Sequence, residues 1–150
     1  MSSAEPDTWF RFVRAHRCLI REIERRLAAA GLPAYAWYDA LWGVESGPDG
    51  KRRMHELADV MAIERYNLTR LVDRLESEGL VERQRDNSDG RGAIAVITNK
   101  GRALRKEMWH VYQTAVAELF LAQFDEQQQQ VFAEALERAA RAARSSESRD

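Results

Sequence analysis

The stretch "HELADVMAIERYNLTRLVDRLESEGLVERQRDNSDGRGAIAVITNKGR", residues 55–102, changes its hydrophobic period partway along, and that change decides the fold. Residues 53–62 read as a short helix with Leu57, Ala58 and Met61 inward. In 62–80, Leu68, Leu71, Val72 and Leu75 share one helical face, while Arg65, Asn67, Arg70 and Arg74 lie largely elsewhere. Gly79 stands just past the last turn, where a residue at ease with positive φ ends a helix well. Two such helices joined by a few residues form a helix-turn-helix. The period then shortens to two: "LVERQ" (80–84) and "AIAVIT" (93–98) read as short strands, and the turn formers Asn87, Ser88, Asp89 and Gly90 lie between them. A two-stranded hairpin in that place is a wing. Thr98 is suited to cap the helix that follows.

The side chains on these elements suit DNA. On the second helix Arg65, Tyr66, Asn67, Thr69, Arg70 and Arg74 offer guanidinium, amide and hydroxyl groups of the kind that read base edges and hold phosphates. Arg91 lies near the tip of the wing, where a slim, permanently charged group fits a narrow minor groove, and Arg85 stands at its base. Asp86 and Asp89 would repel phosphate if unpaired, so their expected task is to hold Arg91 or Arg85 in position. The formal net charge of −1 hides a division along the chain. Residues 51–106 hold 13 Lys+Arg against 9 Asp+Glu, and the remainder hold 10 against 15. A basic middle between acidic flanks points to a nucleic-acid-facing module whose flanks do other work.

The quoted stretch resembles the core of the MarR family of bacterial transcriptional regulators. The wing matches the family's D-x-R pattern at Asp89, Gly90 and Arg91, and the strand runs into the family's "LT" position at Ile97 and Thr98. The match is close over about 54–106, and the helix order extends it over nearly the whole chain. The resemblance implies a homodimer with two winged lobes on a pseudopalindromic operator, repressing and released by a small ligand or an oxidant. It places the recognition helix at Arg65 to Arg70 and the wing-tip contact at Arg91. Three positions depart from the family's habit: Glu64 stands where a capping Ser or Thr is common, Tyr66 is bulkier than usual, and Gly90 replaces an arginine.

Outward from the lobe the pattern stays helical. Residues 7–30 carry Trp9, Val13, His16, Ile20, Ile23 and Leu27 on one stripe, and Gly31 and Pro33 end that helix. An aromatic-rich helix is expected over 34–45 and a turn at "SGPDG" (46–50). After Thr98 a long helix passes through Leu104, Met108, Val111, Tyr112, Ala115 and Leu119, toward Phe124. A last helix over 125–144 is expected to bury Val131, Phe132, Ala135, Leu136 and Ala139, with "QQQQ" (127–130) as a solvated face and 145–150 frayed. The expected fold class is therefore mainly α with a small β-hairpin wing. A single domain over 1–150 would hold a winged helix-turn-helix lobe at about 51–106 and a helical dimerisation region from about 7–45 and 107–144. The apolar stripes exceed what the lobe can cover, which marks an interface, and two-fold pairing suits palindromic DNA.

Trp9, His16, Tyr35, Trp37, Tyr38, Trp42, Trp109, His110 and Tyr112 fall on helices expected to meet beside the lobe. They read either as core or as a ligand pocket. If they form a pocket, its occupant is an aromatic or phenolic compound with an arginine for any carboxylate. The single cysteine, Cys18, reads as a surface cysteine, with oxidant sensing as the alternative, and fits a reducing compartment. No enzyme signature is found: "HELAD" lacks the second histidine of a zinc-protease helix, and phosphate-loop glycines and G-x-S-x-G are missing. No metal and no cofactor are expected. No stretch reaches the roughly 18 uninterrupted apolar residues of a membrane span, and no basic-then-apolar leader is seen, so the expected location is cytoplasmic. The alternative function is a winged-helix protein-interaction module that does not bind DNA.

Overall fold

A computed structural model describes residues 4–86 and 92–148, with side chains from 7 onward. The contacts divide the chain into two compact units, 1–113 and 114–150. In the first, α1 (Ala4–Ala29) buries only the end of its expected stripe: Ile23 and Leu27 are buried, Val13 and Ile20 are half-buried, and Trp9 and His16 are exposed. It closes as the sequence demands. Gly31 takes φ +74° and the Leu32 amide donates to the Leu27 carbonyl at 2.9 Å, using carbonyls that the helix itself cannot satisfy.

Next come α2 (Tyr35–Glu45), the "SGPDG" turn ending in a short 3-10 segment, β1 (Lys51–Arg53), α3 (Met54–Met61) and α4 (Arg65–Ser77). Then follow β2 (Val81–Arg85), β3 (Ala93–Ile97) and α5 (Asn99–Leu119). Mainly helical with a small sheet, this is the expected class, but the sheet has three antiparallel strands rather than two, in the order β1-β3-β2. Lys51 faces Val96, Val81 faces Ile97 and Arg85 faces Ala93. The added strand "KRR" shows no apolar alternation. Its pairing comes from β3, which presents a second edge for it to join.

The lobe packs around Leu41 and Val44 of α2, Leu57 of α3, Leu68, Val72 and Leu75 of α4, and Val81, Ala95 and Ile97 of the sheet, all buried. Deleting one such leucine to alanine costs about 2–5 kcal/mol. The turn between α3 and α4 uses Ala62 in the left-handed region at φ +54°, and Ile63 folds back onto the core, its amide donating to the Ala58 carbonyl at 3.2 Å. Thr98 caps α5 as expected: Oγ1 accepts from the Gly101 amide at 3.0 Å and donates back to the Gly79 carbonyl at 2.7 Å. A Cβ on Gly101 would collide with the Leu80 carbonyl oxygen, which is why α5 can start so close to the strand.

In the second unit α5 ends at Leu119 rather than continuing toward Phe124, a short 3-10 turn covers Leu121–Gln123, and α6 runs from Glu126 to Glu147. The rings of Phe120, Phe124 and Phe132 meet at centroid distances of 5.3–5.9 Å. The glutamine tract is the expected solvated helix face, with Gln127, Gln128 and Gln130 exposed, and it also caps: Asp125 and Gln128 form a reciprocal capping box and Gln129 Nε2 donates to the Leu121 and Phe124 carbonyls. The segment after Arg144 continues as helix through Glu147 instead of fraying. No residue of α6 is buried: Phe132, Ala135 and Leu136 are half-buried, while Val131 and Ala139 are exposed. Periodicity identifies an apolar face, and one copy of the chain does not supply what covers it.

Candidate nucleic-acid interface

The face of α4 turned away from Leu68, Val72 and Leu75 carries Arg65, Tyr66, Asn67, Thr69, Arg70 and Arg74, all exposed. The Arg70 guanidinium lies over the Tyr66 ring at 5.0 Å, so these two side chains lean on one another. Thr69 Oγ1 donates to the Arg65 carbonyl at 2.9 Å. Glu64 occupies the N-cap position and accepts no side-chain hydrogen bond there, leaving the first amides of α4 open at the end of the helix. Those amides and the positive end of the helix dipole lie at the turn that carries exposed Arg65, an arrangement that favours a phosphate.

Arg83, which the sequence reading did not single out, ties this helix to the wing. Its Nη2 reaches Asp73 Oδ1 at 2.6 Å and the Thr69 carbonyl at 3.1 Å, its Nη1 reaches Glu76 Oε1 at 3.1 Å, and its amide donates to Glu76 Oε2 at 3.0 Å. Thr69, Asp73 and Glu76 are one turn apart on α4, so a single arginine grips three levels of it. The signal was present: on β2 the two-residue period puts Arg83 on the face of buried Val81, and an arginine turned inward needs carboxylates. An open groove of about 660 Å³ runs between these elements, lined by His55, Arg65, Thr69, Asp73 and Arg83 among others.

At the root of the wing Arg85 is exposed, opposite Ala93. Asp86 is buried and its Oδ2 lies 2.9 Å from Arg53 Nε, a partner on β1 that the sequence reading did not name. The Asp86 amide donates to the Gly92 carbonyl at 3.1 Å and closes the hairpin. Asp89, Gly90 and Arg91 lie outside the described residues.

Of the residues expected around a ligand, the structure brings together Tyr38, Trp109 and Tyr112, joined by Tyr35, with centroids 4.8–6.3 Å apart. Trp37 packs on the lobe core instead. Trp42 lies beneath Arg105 at 5.7 Å, Trp9 pairs with Phe12 on α1, and His16 and His110 are exposed. Burial raises the pKa of Tyr35, and its hydrogen bond with Tyr112 adds to the effect. Burial likewise raises Tyr38 and the neighbouring Asp39. A second cluster not foreseen joins α2 to α5, where Glu45 accepts from Arg105 Nε and from Arg102 Nη1, the latter at 3.3 Å. Cys18 is exposed on α1. Among the described residues no group of three or more His, Cys, Asp and Glu could hold a metal, and no helix is long and apolar enough to cross a membrane.

Comparison with known proteins places this geometry. Residues 31–92 match the model of the MarR family. Among solved structures, the chain is similar to AbsC, a MarR family transcriptional regulator from Streptomyces coelicolor, at 23% identity and TM-score 0.87, with 97% of each chain covered. It is similar to Sco3205 from the same organism, a MarR family regulator solved in complex with DNA, at 26% identity and TM-score 0.87, covering 95% of this chain and 89% of that one. A third match is Bordetella bronchiseptica BpsR, at 17% identity and TM-score 0.76, covering 89% and 98%; its DNA binding is regulated by 6-hydroxynicotinic acid. The matched segment reaches from α2 into the wing, and the fold follows those structures along almost its whole length, so the chain is similar to MarR family transcriptional regulators in its winged helix-turn-helix segment and in its fold.

Proposed function

We propose that this protein is a sequence-specific double-stranded DNA-binding repressor, acting as a homodimer on a pseudopalindromic operator and released by a small ligand. The observation that carries the reading is the division of α4, with Leu68, Val72 and Leu75 buried and Arg65, Tyr66, Asn67, Thr69, Arg70 and Arg74 all exposed together. In this reading the exposed face enters the major groove, Arg91 reaches the minor groove, and Arg85 follows the backbone. Residues 51–106, packed on Leu41 and Val44 of α2, form the DNA-binding lobe, and 7–45 with 107–144 supply the dimerisation helices. The structure of Sco3205 with DNA supports the first part and the regulation of BpsR by a small aromatic acid supports the last. The ring cluster of Tyr35, Tyr38, Trp109 and Tyr112 is the proposed ligand site.

The test is a titration against the duplex upstream of the protein's own gene, repeated over a range of salt, with Arg70→Ala and Arg91→Ala alongside. Nanomolar affinity that falls steeply with salt is expected, with a loss of about 1–3 kcal/mol when a base-reading side chain is removed. A protein that prefers no sequence from a random duplex library, and whose affinity neither substitution changes, is instead a winged-helix module for protein partners.

A further inference from the structure

The ring cluster has a charge character of its own. Tyr35, Tyr38, Asp39 and Trp42 fall on one face of α2, spaced by three, one and three residues. Arg105, Trp109 and Tyr112 fall on one face of α5, spaced by four and three. Tyr38 lies 4.8 Å from Tyr112 and 6.0 Å from Trp109, centroid to centroid, the latter pair nearly parallel at 14°. Ring faces carry negative potential. Beside them stand two opposite charges in different situations. Arg105 is committed: Glu45 accepts from both its Nε and its Nη2, and Trp42 covers the guanidinium. Asp39 is half-buried and makes no hydrogen bond or ion pair among the described residues. The uncommitted charge at the cluster is therefore the carboxylate, not the arginine that the sequence suggested for an acidic ligand.

We infer that the cluster takes an organic cation, an aromatic or alkyl ammonium compound, with Asp39 as its counter-ion and the accessible parts of Tyr35 and Trp109 as its walls, Tyr38 lying buried behind them. The chemistry is that of ammonium recognition elsewhere, in which ring faces and a carboxylate together replace the water of the charged group. An anion meets repulsion from the same surfaces and would have to displace Glu45 from Arg105. Trp109 is 37% exposed, so the cluster is open along that ring. The inference rests on the reading of this cluster as the ligand site and narrows it to one charge class.

The experiment titrates the full-length protein with benzyltrimethylammonium, benzoate and benzyl alcohol, followed by calorimetry and tryptophan fluorescence, with Trp109→Phe to assign the optical signal. The expected result is that the ammonium compound binds at least about tenfold more tightly than benzoate. Asp39→Asn should lose about tenfold or more of that affinity while binding benzyl alcohol as before, and Asp39→Glu should regain part of it. Benzoate binding as well as the ammonium compound, or Asp39→Asn leaving the ammonium affinity unchanged, overturns the cation assignment and leaves a ligand site of another class. Binding of none of the three overturns the site itself. Benzyl alcohol binding by Asp39→Asn reports that the variant is folded, and Trp109→Ala gives the same comparison from the opposite helix.

Discussion

A half-buried carboxylate without a partner makes stability depend on pH in a definite direction. Burial raises the pKa of Asp39 in the folded protein above the ordinary aspartate range. The stability tied to this group is thus fully present below the unfolded pKa and is lost as pH rises through the folded one. Asp39→Asn should melt with the parent protein at pH 3 and above it at pH 7, with the gap opening over the interval between the two pKa values. Superimposed melting curves at pH 7 would show that Asp39 is fully hydrated. At this scale the sequence was legible wherever period decides exposure: the outward set from Arg65 to Arg74 and the inward set of Leu68, Val72 and Leu75 follow from 3.6 residues per turn. It was not legible for ion partners. Glu45 and Arg105 are 60 residues apart in the chain, and Arg53 reaches Asp86 across the sheet, so no local spacing announces either pair.

Elements were read well where a terminus carries its own chemistry, as with Gly31 and Gly79 at φ +74° and Thr98 at the start of α5. Strand β1 was missed because "KRR" has no pattern of its own, while the start of α6 was read correctly and only the capping role of Gln128 went unseen, glutamine being a common solvated residue and an uncommon cap. The joint between α4 and β2 belongs to this scale too. Arg83→Gln keeps the amide bond to Glu76 and removes the guanidinium from Asp73, Glu76 and Thr69, leaving two exposed carboxylates without their cation. A loss of about 1 kcal/mol is expected in urea unfolding, because water screens the exposed carboxylates. An unchanged midpoint and slope would mean that the helix and the wing are held together by the apolar core alone.

For the whole molecule the informative surface is the apolar one. Trp9 is 67% exposed, Phe10 52% and Phe12 42% on α1, and Val131 is 60% exposed on α6. Large apolar groups gathered on helices in this way mark an interface, and static light scattering at micromolar concentration is expected to give about twice the 17.3 kDa of the chain. Replacing Trp9 and Phe12 together by serine should lower that mass toward one chain while the helical circular dichroism is kept. A parent protein that scatters as a single chain would remove the dimer from the reading. These stripes were visible in the sequence, yet a stripe states only that something must cover it, which is why the burial expected at Val131 and Ala139 did not appear in one copy.

The wing root has a consequence for how such a protein can change over time. The bond from the Asp86 amide to the Gly92 carbonyl and the ion pair from Asp86 to Arg53 both sit outside residues 87–91, which they bracket. The hairpin is thereby held at its root by a backbone bond and by an ion pair to the strand that precedes α3. An inherited change at Arg53 is therefore felt at the root of the hairpin, so β1 and the wing root are exposed to selection together rather than one at a time.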